Sequence, residues 1–222
     1  MKTYRNPTTR LQRVLKIGTA LGVAILGASA LHGQSSDPAP PPASTPSTPI
    51  EISPAAKEFL QFAAQADQTE IAMADVAEAR SQNTTVKELA QMMRTDHQKD
   101  YAQVQSMAQT HLIALDASLN YMNRRAVTHL QKASAADFDR DYARVMLKDH
   151  VKAITTFDKA IAELDQPDVT QYAQAALPTL RNHLRHAEAA ARSVGVDEAT
   201  ISAILKGLPN DELSRALSLN QN

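Results

Sequence analysis

Cysteine is absent from this 222-residue chain, which excludes disulfides, thiolate metal sites and a lipid-modified cysteine. Tryptophan is absent too. With four Phe and five Tyr in the whole chain, and few β-branched runs, nothing in the composition supports a sheet. Glycine is scarce: there are six, and none stands between Gly33 and Gly195. That interval is dominated by Ala, Gln, Leu, Glu, Lys, Arg and Met, residues that favour helix throughout. Several catalytic signatures are also missing. There is no G-x-S-x-G, no phosphate loop and no H-E-x-x-H, so no standard hydrolase or nucleotide chemistry is supported. None of Glu58, Glu70, Glu78, Glu88, Glu163 or Glu188 is followed three residues later by His, which removes the Glu-x-x-His pairs of a di-iron carboxylate centre.

What is present begins with a targeting pattern. Lys2, Arg5, Arg10, Arg13 and Lys16, with no acidic residue among them, precede an apolar run from Ile17 to Ala30 that ends in Ala28-Ser29-Ala30. This reads as a secretory signal peptide over residues 1–30, cleaved after Ala30. A retained anchor is the competing reading, but a spanning helix needs about 20 apolar residues, and this run is shorter and holds three glycines. Cleavage would remove five of the 23 basic residues and none of the 24 acidic ones, leaving a net charge of −6. An acidic mature chain without a basic cluster is a poor partner for nucleic acid. Residues 31–52 read as a proline-rich disordered linker, with six prolines between His32 and Pro49. No integral membrane span remains in the mature chain, which is expected in the periplasm or associated with the outer membrane, and open to self-association.

Residues 53–195 read as a four-helix bundle. Ser53-Pro54 supplies an N-cap and a proline at the first helical position. The first helix then runs to about Arg80, with Phe59, Phe62, Ala63, Ala66, Met73 and Ala77 on its apolar stripe and Glu70 filling the step between Ala66 and Met73. Asn83-Thr84-Thr85 opens a second helix, from about Val86 to His111, whose inward line includes Met93, His97 and Asp100. A crossover from Leu112 to Ala136 holds a short helix near Arg124 to Lys132, expected across the end of the bundle. The third long helix runs from Ala135–Asp137 to about Leu164, with Tyr142, Met146 and His150 inward. The fourth follows Gln166-Pro167, with Asp168 as its cap, carries His183 inward, is kinked or split by Pro178, and ends in a glycine cap at Gly195. Residues 196–222 read as a short helix from Asp197 to Lys206 and a frayed tail from Gly207 onward.

The pattern M-x-x-D-H-x-K occurs twice, from Met93 to Lys99 and from Met146 to Lys152. Both copies fall near mid-helix, on the second and third helices. Glu70, His97, His150 and His183 thus come one from each helix, at similar heights, and are the candidate ligands of a single transition-metal ion, with Zn, Fe, Mn or Cu all chemically admissible. Asp96, Asp149 and His186 are candidates to orient the imidazoles or add a ligand. The competing reading is a structural or partner-binding bundle whose buried histidines only need hydrogen-bond partners. An oxidant-handling metalloenzyme is the third, with no proton path legible beyond Tyr142.

The succession Ala66-Asp67-Gln68-Thr69-Glu70, Met93-x-x-Asp96-His97, Phe138-Asp139-Arg140-Asp141-Tyr142, Met146-x-x-Asp149-His150 and Leu177-Pro178-x-Leu180-x-x-His183-Leu184 resembles domain-of-unknown-function family 4142 (DUF4142). The resemblance implies an exported bacterial envelope protein with a ferritin-like bundle, and brings no activity or ligand set with it. Members usually carry glycines where this chain has Ala66-Asp67 and Ala135-Ala136-Asp137. The expected fold is therefore an all-α, ferritin-like up-down four-helix bundle with a short crossover helix. The expected function is that of a non-enzymatic envelope or stress-related protein that binds a metal in its core.

Overall fold

The computed structural model describes residues 51–219, so the signal-peptide reading and nearly all of the linker reading lie outside the described residues. Seven α-helices follow in order: α1 (Pro54–Arg80), α2 (Thr84–Thr110), α3 (Tyr121–Lys132), α4 (Phe138–Glu163), α5 (Pro167–Ser193), α6 (Glu198–Leu205) and α7 (Asn210–Leu219). No helix among the described residues is long and apolar enough to cross a membrane.

The helix starts are set by local chemistry. Ser53 Oγ accepts from the Ala56 amide at 3.2 Å, with Pro54 in the first turn where a missing N–H costs nothing. Asn83 Oδ1 accepts from the Val86 amide at 3.1 Å and Asn120 Oδ1 from the Asn123 amide at 2.9 Å. Gln166 takes the cap position of α5 without a capping side-chain bond, and Asp168, the expected cap, lies two residues further on, inside the first turn. Pro178 neither ends nor splits α5. At the other end Gly195 has φ +75°, with its own N–H on the Arg192 carbonyl and the Val196 N–H on the Ala191 carbonyl. That crossed pair of bonds is a Schellman cap, which requires the left-handed conformation glycine adopts without strain.

Long-range contacts define the topology. A three-residue turn folds α2 back on α1. Asn83 meets Ser193, Asn182 meets Met92 and Tyr172 meets Asp100, so α2 and α5 are antiparallel. Phe59 packs on Phe157 at one end of α1 and Arg80 on Phe138 at the other, so α1 and α4 are antiparallel too. Each long helix therefore has antiparallel neighbours, while α2 and α4, on the diagonal, run the same way. The chain must return along the whole bundle between them. That return is α3: Gln65 bonds to Ser118 and Asn120 at its start, and Arg80 donates to the carbonyls of Leu130, Gln131 and Ala133 at its end. It runs beside α1 and does not cross the bundle end as the sequence suggests.

The core departs from the expected stripes by a fraction of a turn. On α1 the buried line is Phe59, Leu60, Ala63, Ala64, Asp67, Glu70, Met73, Ala74 and Ala77, so Asp67 takes the place expected for Ala66. On α4, Ile154 and Ala160 are buried where Ala153 and Ile161 are expected. The tail is folded as well: α6 packs against α4, and α7 is tied to α5 by Arg181, whose guanidinium grips both oxygens of buried Glu212.

Candidate metal centre

His97, His150 and His183 come from α2, α4 and α5 and meet at mid-bundle, 6%, 1% and 1% exposed. Ring centroids lie 5.2 to 5.8 Å apart. One donor nitrogen from each ring lies within 4.8 Å of the other two. One turn toward the α1–α2 turn, Met73, Met93, Met146 and Ala187 are fully buried and seal the site from that side. The two copies of M-x-x-D-H-x-K thus place a methionine four residues, about one turn, before each of two histidines.

The groups around His150 and His183 fix their tautomers. His150 Nδ1 faces the Met146 carbonyl at 2.9 Å, an acceptor only, so that nitrogen carries hydrogen and Nε2 carries the lone pair. His183 Nε2 faces the Asp96 carboxylate at 2.9 Å, so it donates and Nδ1 carries the lone pair. His97 Nδ1 lies 2.8 Å from Asp67 Oδ1 in a hydrogen bond, and its Nε2 is buried and without a partner. The consequence is specific. His150 Nε2 and His183 Nδ1 stand 3.2 Å apart with two lone pairs pointed at one another and no hydrogen between them.

An added proton is not the easy remedy. Burial pushes the His97 imidazole down to about 4, against the pull of Asp100 and Asp96. Burial likewise lowers His183 to about 4, against its bond to Asp96, and lowers His150 well below the usual range, with His183 and His97 adding to the effect. The rings are neutral at physiological pH, the state a metal requires of imidazole.

Carboxyl groups crowd one side of the triad. Burial, aided by the neighbouring Asp100, raises Asp67 to about 10. Asp100 is raised by burial and accepts from the Tyr172 hydroxyl at 2.7 Å. Burial, then Asp149, then Asp67 raise Glu70. Burial raises Asp149 to about 6 against the nearby Lys152 and Lys148.

Measured against the sequence reading, the structure brings His97, His150 and His183 together and keeps Glu70 close by. Glu70 is buried and lines the same cleft as His97 and His150, but it is outside the set of donors within 4.8 Å of one another. Asp96 holds His183. Asp149 sits beside Glu70 with no bond to a histidine, and His186 is exposed. Asp67 and Asp100 escaped notice as functional groups. The signal for Asp67 is its position three residues before Glu70, on the same helical face; Asp100 was on the inward line, three residues after His97.

Fold and site together define an all-α helical bundle with a buried histidine triad that could hold a metal ion. The chain belongs to the family described as "Domain of unknown function (DUF4142)", whose sequence profile matches residues 40–190. A solved structure, "Crystal structure of DUF305 fragment from Deinococcus radiodurans", is similar to it with a TM-score of 0.57 and 19% identity, covering 64% of this chain and 98% of that one. At that identity the likeness speaks for the fold alone. Among curated proteins none matches.

Proposed function

We propose that this is an exported envelope protein that binds one transition-metal ion through His97, His150 and His183 and performs no catalysis of its own kind encoded in a known motif. The observation that carries the reading is the 3.2 Å contact between His150 Nε2 and His183 Nδ1, both bearing lone pairs. Two buried acceptors at that distance repel, and a cation between them converts the repulsion into two bonds. Two imidazoles on a tetrahedral ion at about 2.0–2.1 Å would have nitrogens about 3.3 Å apart, close to the observed spacing. The 4.8 Å limit on the set is wider, so capture of an ion would draw the rings inward.

The surroundings support the same reading. Each ring's remote nitrogen is fixed by a carboxyl or a backbone carbonyl, the arrangement that orients metal-ligating histidines. Three neutral nitrogen donors without sulfur favour Cu(II), then Zn(II), over Fe(II) and Mn(II). Export rests on the Lys/Arg-flanked apolar run ending at Ala30. The ferritin-like reading of the fold is supported by the lengthwise α3 crossover between parallel, diagonal helices.

Calorimetric titration of the chelator-treated mature chain tests it. One Zn(II) or Cu(II) per chain is expected in the wild type and none in a His97→Gln, His183→Gln double variant. Equal uptake by both proteins would refute the assignment.

A further inference from the structure

A cleft of about 300 Å³ enters the bundle between α1 and α4 and reaches two members of the triad. His97 and His150 form part of its wall, Glu70 and Asp149 line it beside them, and Asn123 and Lys152 also border it. Glu70 is the unusual member. It is only 4% exposed, its Oε2 has no hydrogen-bond partner, and it stands outside the triad's donor set. A buried carboxyl oxygen without a partner is rare in a folded core, and here it belongs to a residue that also lines a cleft.

Resting on the metal-binding reading above, we propose that the triad presents an open coordination position to this cleft, which takes a small anionic ligand of two or three atoms, hydrogen-bonded by Glu70. Three ligands leave a tetrahedral ion one vacancy. Because all three are neutral, the ion keeps its full positive charge, and an anion in the fourth place is favoured over a neutral molecule by Coulomb attraction in a medium poorer than water. The cleft has room for such a ligand, since a water molecule's share of liquid volume is about 30 Å³. Glu70, which lines the cleft and carries a buried oxygen without a hydrogen-bond partner, is the group on this wall that would share a proton with the anion. Lys152 is the one cation on a cleft wall that also carries Glu58, Asp67, Asp100 and Asp149, so the pull on an anion comes from the ion itself.

Azide is the probe, and copper supplies the colour. The mature chain is loaded with Cu(II), and azide is titrated while absorption is recorded. A saturable azide-to-copper charge-transfer band is expected. Glu70→Leu should keep one copper per chain and bind azide about tenfold or more weakly, the scale of one hydrogen bond to a charged group. Glu70→Gln, which still offers an N–H, should recover most of the loss. Ala153→Phe, which narrows the cleft wall without touching the triad, should also weaken azide at unchanged copper content. A loaded wild type whose spectrum ignores azide overturns the open position. Loss of copper in both Glu70 variants also overturns it, because Glu70 would then be the fourth ligand of a closed site. Wild-type azide affinity in Glu70→Leu removes Glu70 from the proposal. If the wild type takes up no copper, the metal-binding reading and this one fall together, a result distinct from a copper-loaded protein that is silent to azide.

Discussion

Replacing His150 with leucine separates a metal site from a structural hydrogen-bond network, because the two give opposite signs for stability of the metal-free protein. In the metal-site reading His150 contributes one bond of its own, Nδ1–H to the Met146 carbonyl. That carbonyl also lies in the α4 backbone ladder, so losing the imidazole costs about 1 kcal/mol and strands no acceptor. Against that, the substitution removes an acceptor forced against His183 Nδ1, worth about 1–3 kcal/mol. It also places an aliphatic side chain of similar size at a site 1% exposed beside fully buried Met146, Leu147 and Ile154, worth roughly another 1 kcal/mol. The metal-free variant should be more stable by about 1–3 kcal/mol, and each kcal/mol raises the Tm of a domain this size by about 2–4 °C. The gain should be cancelled or reversed when metal is present. At 100 times its Kd, Zn(II) stabilises the wild type by about 2.7 kcal/mol and should leave the variant unmoved. Circular-dichroism melts of chelator-treated protein, with and without Zn(II), measure both. A lower Tm for the metal-free variant would refute the reasoning, since it would show that a real hydrogen bond joined His150 to His183.

Other expectations follow from the same geometry. Stability of the metal-free protein should decline as pH rises above about 6.5. The buried Asp67 carboxyl is raised from 3.8 to about 10, so the folded state holds the extra proton in between, and its contribution is full below 3.8 and shrinks with rising pH by up to about 1.4 kcal/mol per unit. His97 and His183, lowered from 6.5 to about 4, act the other way: their contribution is full above 6.5 and is lost as pH falls toward 4. Below 6.5 the two sets oppose one another; above it only the acids remain, and Asp67→Asn should flatten the decline in melts between pH 6.5 and 9. Gly195→Ala should cost about 1 kcal/mol in denaturant unfolding, from backbone strain alone, because its φ is +75° and nothing lies within 4 Å of the added methyl. Arg181→Ala, which takes the guanidinium from buried Glu212, should speed amide exchange across residues 210–219 while leaving the α1–α2 hairpin protected. Uniform acceleration would show instead that α7 is part of the global unfolding unit.

Helix identity was open to reading from residues alone because its causes are local. Ser53-Pro54, Asn83 and Gly195 act within four residues of themselves, and a 161-residue interval without glycine leaves helix as the cheapest backbone state. The three histidines were legible for a related reason: a side chain three or four residues from buried apolar neighbours on a helix, Met93 and Met146 for two of them and Leu180 and Ala187 for His183, shares their face. Phase within the face was less legible. A residue of error is about 100° of rotation, and it hid Asp67 behind Ala66.

Composition and periodicity by themselves determined an all-α chain, the caps at Ser53, Asn83 and Gly195, and which three histidines point inward. Only the tertiary structure decided that their lone pairs converge, that Asp96 and Asp67 hold two of the rings while Asp149 does not, and that Glu70 faces a cleft and stands outside the donor set. It also decided that α3 runs along α1 and that the tail folds as α7. The reason is physical. Helical periodicity follows from bonds four residues apart, whereas the direction of a ring nitrogen depends on groups up to 87 residues away, such as Asp96 from His183, which meet only once the helices have packed.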